Sequence, residues 1–293
     1  MSFSSLKKQS SLGSLTSKLV KEIEKTSVTR GGADERLWKP ELDKTGNGYA
    51  VVRFLPAPDG EDLPWAKVYS HAFQGPGGWY IENSLTTINA KDPVSEHNRD
   101  LWNSGNESDK DVVRRQKRKL SYYANIYVVK DPVNPHNEGG VFLFKFGKKI
   151  FDKLTAAMQP EFEDESPINP FDFWAGANFK LKIRKVDGYW NYDKSEFDAP
   201  SSLLEDDDAL EALWKKQYSL ADFTSQSNFK SYDALEKRLK SVLGQKTVQA
   251  PRFDEELDDE SEGRGAAVQQ VAAATTVDED EDNALSYFQK LAE

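Results

Sequence analysis

The sequence predicts a β-rich α+β protein: a strand-built core first, helices after it, and a segment at each end that does not join the core. Three observations carry that reading. Residues 178–186 (NFKLKIRKV) alternate, with Phe179, Leu181 and Ile183 on one face and Lys180, Lys182 and Arg184 on the other. A Tyr-rich run ending at Lys130 and a Phe-rich run, Val141 to Phe146, flank a Pro/Asn/Gly turn, as the strands of a hairpin do. Beyond Pro200 the apolar residues recur at helical spacing instead.

Composition bounds the rest. A chain of 293 residues holds one large domain with appendages or two modest ones. Its 38% hydrophobic and 12% aromatic content allows a packed core, while 30% charged residues imply that part of the chain never packs. There is no apolar run of membrane-spanning length and no secretory block near the start. The absence of cysteine excludes disulfides, thiolate metal sites and a cysteine nucleophile. The net charge of −10 is not evenly spread: residues 253–293 carry thirteen Asp/Glu against two Lys/Arg, so the first 252 residues sum to +1. An acidic tail therefore hangs from a near-neutral body with basic patches, and a polyanionic partner is compatible with the global sign.

Taken in order, the chain opens Ser-rich with Lys7-Lys8. From Ser14 the apolar residues Leu15, Leu19, Val20 and Ile23 fall on one helical stripe. That helix is short enough to need a partner surface, and a frayed terminus is the other reading. Thr29-Arg30-Gly31-Gly32 is a linker. Asp43 to Gly48 is a turn, and Tyr49 to Leu55 follows as a strand stopped by Pro56. Lys67 to Phe73 and Gly78 to Glu82 pair around Gly75-Pro76-Gly77-Gly78. Residues 83–113 are polar and irregular, broken at Pro93 and Gly105, and long enough to be either functional or a small subdomain. A helix-like run covers Ile150 to Met158. Asp187-Gly188 turns the strand at 178–186 into Tyr189-Trp190-Asn191-Tyr192. Helical stripes then comprise Leu210, Leu213 and Trp214, and Tyr232, Leu235, Leu239 and Val242, the last ended by Gly244. From Phe253 the acidic, Ala/Gln/Thr-rich composition reads as disorder, with an apolar stripe recovered at Ala284 to Leu291.

No phosphate loop, nucleophile elbow or dinucleotide fingerprint is present, and no pair of carboxylates is placed in an apolar cleft. A zinc site without cysteine would need His71, His97 and nearby carboxylates. Binding chemistry recurs instead. Arg114, Arg115, Lys117, Arg118 and Lys119 lead into Tyr122-Tyr123, Lys148 and Lys149 close the Phe-rich strand, and Lys180, Lys182 and Arg184 precede Tyr189 and Tyr192. Cations neutralise phosphates, and flat rings stack on unpaired bases without reading their sequence. Two such strands in one sheet would make a continuous positive trough. Periodicity does not say which of Tyr122 and Tyr123 faces it. The bland reading, aromatics as core and lysines as solvated face, stays open at each position taken singly.

The runs KRKLSYYANIYVVKDP, FKFGKKIFDKL and GANFKLKIRKVDGYWNYDKSEF, with NGYAVVRFLP and GGWYIEN upstream, resemble the single-stranded DNA-binding (helix-destabilising) proteins of T-even-type bacteriophages. The similarity covers roughly residues 36 to 245. The resemblance implies an OB-fold core with an added subdomain. It divides the chain into a basic N-terminal arm (1–30), a DNA-binding core (31–252, with 83–113 in the place of a zinc subdomain) and an acidic tail (253–293). It implies groove cations at Lys117, Arg118 and Lys119, and groove rings at Tyr122, Phe144, Tyr189 and Tyr192, with Trp102 a further member. Phe144 stands where the family often has Tyr, which keeps stacking and loses a phenolic hydrogen bond. The family's arm self-associates through a basic-then-Ser/Thr motif, matched here by Lys7, Lys8, Ser10 and Ser11 with Gln9 in place of a cation. The family's zinc ligands are one His and three Cys; His71 matches the His, but the Cys positions fall near Ser84, Asp92 and Ser95. The expectation is no zinc and no other cofactor, with 83–113 held by packing. The function implied is non-enzymatic, cooperative, sequence-tolerant coating of single-stranded DNA in phage replication, recombination and repair. Its setting would be the cytoplasm of the infected host, away from membranes, with replication and recombination proteins bound through the tail. An RNA-binding translational autoregulator and a nucleic-acid-processing enzyme are the alternatives.

Overall fold

The computed structural model describes residues 34–245 apart from 163 and 187–188. The proposed arm with Lys7, Lys8, Ser10 and Ser11, the Asp187-Gly188 turn and the tail from 253 lie outside the described residues. Nine strands form the sheet: β1 Leu37–Trp38, β2 Gly48–Phe54, β3 Ala66–Gly75, β4 Gly78–Asn83, β5 Lys119–Lys130, β6 Val141–Phe146, β7 Phe179–Val186, β8 Tyr189–Asn191 and β9 Glu196–Phe197. Five α-helices are described with them: α1 Pro93–Asn103, α2 Glu107–Gln116, α3 Lys148–Met158, α4 Asp207–Trp214 and α5 Tyr232–Val242. The result is a mixed α+β, β-rich architecture. No helix among the described residues is long and apolar enough to cross a membrane.

The twelve-residue β5 organises the sheet. Its first half pairs antiparallel with β3, from Lys119↔Ser70 to Tyr123↔Ala66. Its second half pairs with β2 on the same edge, while β6 runs along the other edge from Tyr122↔Phe146 to Tyr127↔Val141. β7 joins the far edge of β2, and β8 and β9 pair with β7. Alternation then sorts side chains by face. Tyr122, Ala124, Ile126 and Val128 of β5 meet Val52 and Phe54, Phe144 and Phe146, and Phe179, Leu181 and Ile183 in one core. Phe54 lies at its centre, within 5.6–6.4 Å of the rings of Phe144, Phe146, Phe171 and Phe179.

One core-adjacent charge is satisfied without an acid. Arg53 is fully buried, and its guanidinium donates to Asn178 Oδ1 (2.9 Å) and to the carbonyls of Asp172 (3.2 Å) and Ser201 (3.0 Å). That pins the connection between α3 and α4 to β2, since an unpaired buried guanidinium would be costly.

Residues 83–113, read from sequence as irregular, contain two helices. Pro93 and Gly105, taken there as breakers, do different work. Pro93 occupies the first turn of α1, where its missing N–H costs nothing, behind an Asp92 N-cap. Gly105, at φ 76°, makes the left-handed step between α1 and α2. A second core forms from Phe73, Tyr80, Leu85, Val94, Leu235, Leu239 and Val242, so α5 returns from the chain's end to pack on the β3–β4 hairpin. The Gly-rich hairpin tip admits it: a Cβ on Gly75 or Gly77 would run into the carbonyls of Val242 and Ser241.

The segment 83–116 is pinned by hydrogen bonds as well as packing. The buried Asp92 accepts from Ser95 N (2.9 Å), Ser95 Oγ (3.1 Å) and Leu85 N (3.0 Å). His71 Nε2 lies 3.2 Å from Asp92 Oδ1, close in distance though not aligned as a hydrogen bond. The other ring nitrogen, Nδ1, is 3.0 Å from the Gln116 carbonyl, which only accepts, so Nδ1 carries the hydrogen. Ser84 caps the 3₁₀ turn Leu85–Ile88. Burial pushes the Asp92 carboxyl up, but His71 and the N–H groups of Ser95 and Leu85 outweigh it and hold it at about 2.

Asp92→Ala is therefore expected to destabilise the full chain by about 3 kcal/mol or more, combining a lost helix cap with a stranded buried partner. Because its folded pKa lies below the unfolded value, the stability Asp92 contributes is complete above about pH 4 and is lost as pH falls toward about 2. Urea unfolding as a function of pH checks both; a variant with parental stability at neutral pH would show that the cluster is not what pins α1.

Candidate nucleic-acid interface

Two strands and one turn build the site. Lys67 and Tyr69, two apart on β3, share a face; by register they stand beside Tyr122 and Leu120 of β5. Arg118 precedes β5 on that same alternation. Its guanidinium carbon lies 3.9 Å above the Tyr69 ring, its Nη1 donates to Thr86 Oγ1 at 2.9 Å, and Lys67 Nζ lies 5.1 Å from the same ring. Tyr69 is itself fixed through Thr87, whose Oγ1 accepts from Tyr69 N (2.9 Å) and donates to Tyr69 O (3.2 Å). Two cations and a half-buried ring thus meet where the sheet adjoins the 3₁₀ turn at Leu85–Ile88. A flat guanidinium on a flat ring is a stack that a base can extend, with cations beside it for phosphate. Sequence reading passed over Tyr69, although Lys67-x-Tyr69 at strand spacing was the signal that would have found it.

The remaining sequence-predicted residues are dispersed. Tyr122 is 6% exposed and stacks on Phe151 at 4.0 Å and 3°; Phe144 is 3% exposed between Trp38, Phe54 and Phe146. Neither ring offers a face to a base here, because alternation along β5 and β6 turns both into the aromatic core. Tyr123 is the ring on the other face, stacked on Phe223 at 4.1 Å and pushed up to about 12 by burial and the nearby Asp34 charge. Arg114 is paired within α2, to Asp111 (2.5 Å) and Glu107 (3.8 Å), while Arg115 is exposed on α2 and Lys117 half-exposed at its end. Trp102, on α1, has Lys110 Nζ 5.8 Å from its ring. Lys148 and Lys149 start α3, where the helix dipole disfavours cations; Lys148 is offset by Asp152 at 2.8 Å. Tyr192 is half-buried against the main core, and Tyr189 is 50% exposed at the end of the sheet.

The basic stripe of β7 is present, but acids answer it. Lys180 pairs with Asp198, Lys182 with Glu196 at 2.7 Å, and Arg184 with Asp193 at 3.9 Å. The Asp198 bond raises the Lys180 ammonium, and the Lys182 bond holds the Glu196 carboxyl low. The chain that returns through β9 carries these carboxylates back beside the lysines. Moreover, the stripe leaves the sheet on the face away from the core that holds Tyr122. The two basic strands therefore do not merge into the single positive trough that the sequence suggested.

Among the described residues no group of three His, Cys, Asp or Glu is arranged to hold a metal ion. His71 and Asp92 are engaged with each other and with backbone groups, and Ser84 and Ser95 spend their hydroxyls on local turns.

Comparison with known proteins finds relatives of the chain. The family model described as gp32 DNA binding protein like matches residues 46–243. The single-stranded DNA-binding protein of Enterobacteria phage T2 is 40% identical over 239 residues, covering 78% of each chain. That of Enterobacteria phage T4 is 39% identical over 238 residues, with the same coverage. A shorter relative of the same name from Enterobacteria phage RB70 is 38% identical over 115 residues, 37% of this chain and 95% of that one.

The pairing on β7 makes a prediction that separates charge from availability. Lys182→Gln should leave affinity for oligo(dT) within about twofold, because an exposed, already-paired cation contributes little. Glu196→Gln with Asp198→Asn should steepen the dependence of binding on salt by releasing two cations. Anisotropy of a labelled strand over a salt series reads both; a large loss from Lys182→Gln alone would restore the β7 stripe to the interface.

Proposed function

The chain belongs to the gp32 DNA binding protein like family, and from that membership we propose that it binds single-stranded DNA through the surface where Arg118, Tyr69 and Lys67 meet. It is a T-even-type phage single-stranded DNA-binding protein serving replication, and by extension recombination and repair, in the infected host cell. It acts by binding alone. The observation that carries the site is the Arg118 guanidinium 3.9 Å over Tyr69 and bonded across to Thr86 of the subdomain. Lys117, Arg115 and Lys119 flank it, and Trp102, Tyr189 and Tyr192 are secondary candidates further along.

The mechanism follows from charge and flatness. Lysine and arginine displace condensed counterions from phosphates, and rings or guanidinium planes hold splayed bases regardless of sequence. A cleft between the sheet and the subdomain that accepts one strand rejects duplex, so binding draws the melting equilibrium toward single strands by mass action.

Further parts of the reading rest on the family likeness. The sheet is taken as an OB-type barrel, with residues 83–116 as the added subdomain. The His71–Asp92 contact then stands where the family holds zinc, and neutral Ser84 and Ser95 replace thiolates, which makes a resident metal chemically unsuited to this chain. The arm with Lys7, Lys8, Ser10 and Ser11 links neighbouring copies along the strand. The acidic tail competes with DNA for the basic surface and, once displaced, recruits replication and recombination proteins.

Tyr69→Ala is expected to weaken binding to oligo(dT) by about 1–3 kcal/mol at all salt concentrations, the effect of one stacking platform. Arg118→Gln is expected to lower the salt slope by about 0.7, the share of one cation on a single strand. Titrations against single- and double-stranded oligonucleotides of equal length measure these, and equal affinity for the two forms would refute the reading.

A further inference from the structure

A second cluster of cations lies on the opposite face of the sheet. In the parallel pair β1–β6, Leu37 stands beside Leu143 and Trp38 beside Phe144, and both leucines pack in one small cluster. Two residues on, Lys39 and Lys145 project from that same face. Lys145 also stands opposite Tyr123 across β5–β6, with its Nζ 5.7 Å from the Tyr123 ring. Lys119, four residues before Tyr123 on β5, shares the face. By register this is not the face of Lys67, Tyr69 and Tyr122.

The three lysines differ from the ion-paired cations named above. Lys110, Lys148, Lys180, Lys182 and Arg184 each have a carboxylate at hand. Among the described residues, Lys39, Lys119 and Lys145 form no ion pair. Asp34, whose charge acts on Tyr123, is held by Arg36 through two bonds of 2.9 Å. Loss of solvation lowers the Lys145 ammonium first, and repulsion from Lys39 and Lys119 lowers it further. Converging like charges with no counter-charge raise the energy of the protein alone, and an anion with several charges would lower it. Phe223 covers one face of Tyr123 and Lys145 lies over the ring, so the patch keeps no ring face for a base. Its chemistry fits a phosphodiester backbone only.

We propose that Lys39, Lys119 and Lys145 form a second anchoring site for the phosphates of a single DNA strand. A strand leaving the Arg118–Tyr69 surface would round the N-terminal end of β5 at Lys117 and continue over them. This extends the reading above and depends on it. Contact here is independent of base identity and is reached only by a strand long enough to pass the first surface.

The test uses the full chain carrying Lys39→Gln and Lys145→Gln, with labelled oligo(dT) of two lengths, one filling the first surface and one well beyond it. On the longer strand the salt slope is expected to fall by about 1.4, two cations at about 0.7 each, with about tenfold weaker binding at low salt. The shorter strand is expected to bind as it does to the parent, and Lys145→Arg with Lys39→Arg is expected to keep the parental slope. Thermal melting of the variant should match or exceed that of the parent. An unchanged slope on the longer strand overturns the proposal. Tighter binding also overturns it, because the lysines would then be holding acidic residues of the chain itself. If Tyr69→Ala weakens binding while the double variant does not, only this site fails; if both are silent, the first surface fails with it.

Discussion

Everything in the sheet depends on β5 having three partners at once. A strand of twelve residues is long enough to pair with β3 over its first half and β2 over its second, while β6 holds the other edge. Register in such an arrangement is strongly constrained. A shift by one residue would send Tyr122, Ala124, Ile126 and Val128 to the wrong face and bring Asn125 into an aromatic core. Asn125 shows how tightly the register is held, since its side chain donates to Tyr218 O at 2.8 Å and accepts from Tyr218 N at 3.0 Å. The same alternation sets the two sides of the binding problem, with Arg118 on the face of Tyr122 and Lys119 on the face of Tyr123.

A cation already held by a carboxylate offers less to a polyanion than one that is not, so pairing matters more than the number of lysines and arginines. The β7 stripe has the cleanest pattern in the chain, yet the returning strand β9 and its flanks bring Asp193, Glu196 and Asp198 against it. The pairs are exposed or half-exposed and add little to stability. Their effect is to offset three positive charges on that face of β7. Arg118 stacks on the Tyr69 ring and donates to the Thr86 hydroxyl, both neutral groups.

The sequence was legible where local chemistry and tertiary role agree. Alternation marked β7, turn residues marked the ends of β2 and the β3–β4 hairpin, and apolar spacing marked α4 and α5. It was less legible at 83–116, where Pro93 and Gly105 punctuate helices from their edges and the buried contacts of α1 include Asn98, which no apolar stripe reports. Site residues were harder still. Tyr122 and Phe144 carry the composition of stacking platforms, and only the strand register shows that they are core. The acids opposing Lys180, Lys182 and Arg184 lie nine to eighteen residues along the chain, beyond any spacing rule that reads a strand alone.

The segment 83–116 and the proposed binding surface are mechanically one object. Thr86, which accepts from Arg118, and Thr87, which fixes the backbone of Tyr69, both sit on the 3₁₀ turn capped by Ser84 and tied down through Leu85 N to Asp92. Asp92 in turn caps α1 and faces His71 of β3, so the strand that presents Tyr69 is also the strand that braces the turn. α5 closes the arrangement by packing Leu235, Leu239 and Val242 on the far side of that hairpin, with Tyr232 Oη donating to Glu96 of α1 at 2.6 Å. Loosening any of these contacts moves Thr86 relative to Arg118. A network of hydrogen bonds therefore holds the ring and the guanidinium stacked in the protein alone, and a strand bound there, as proposed, would have less ordering left to do.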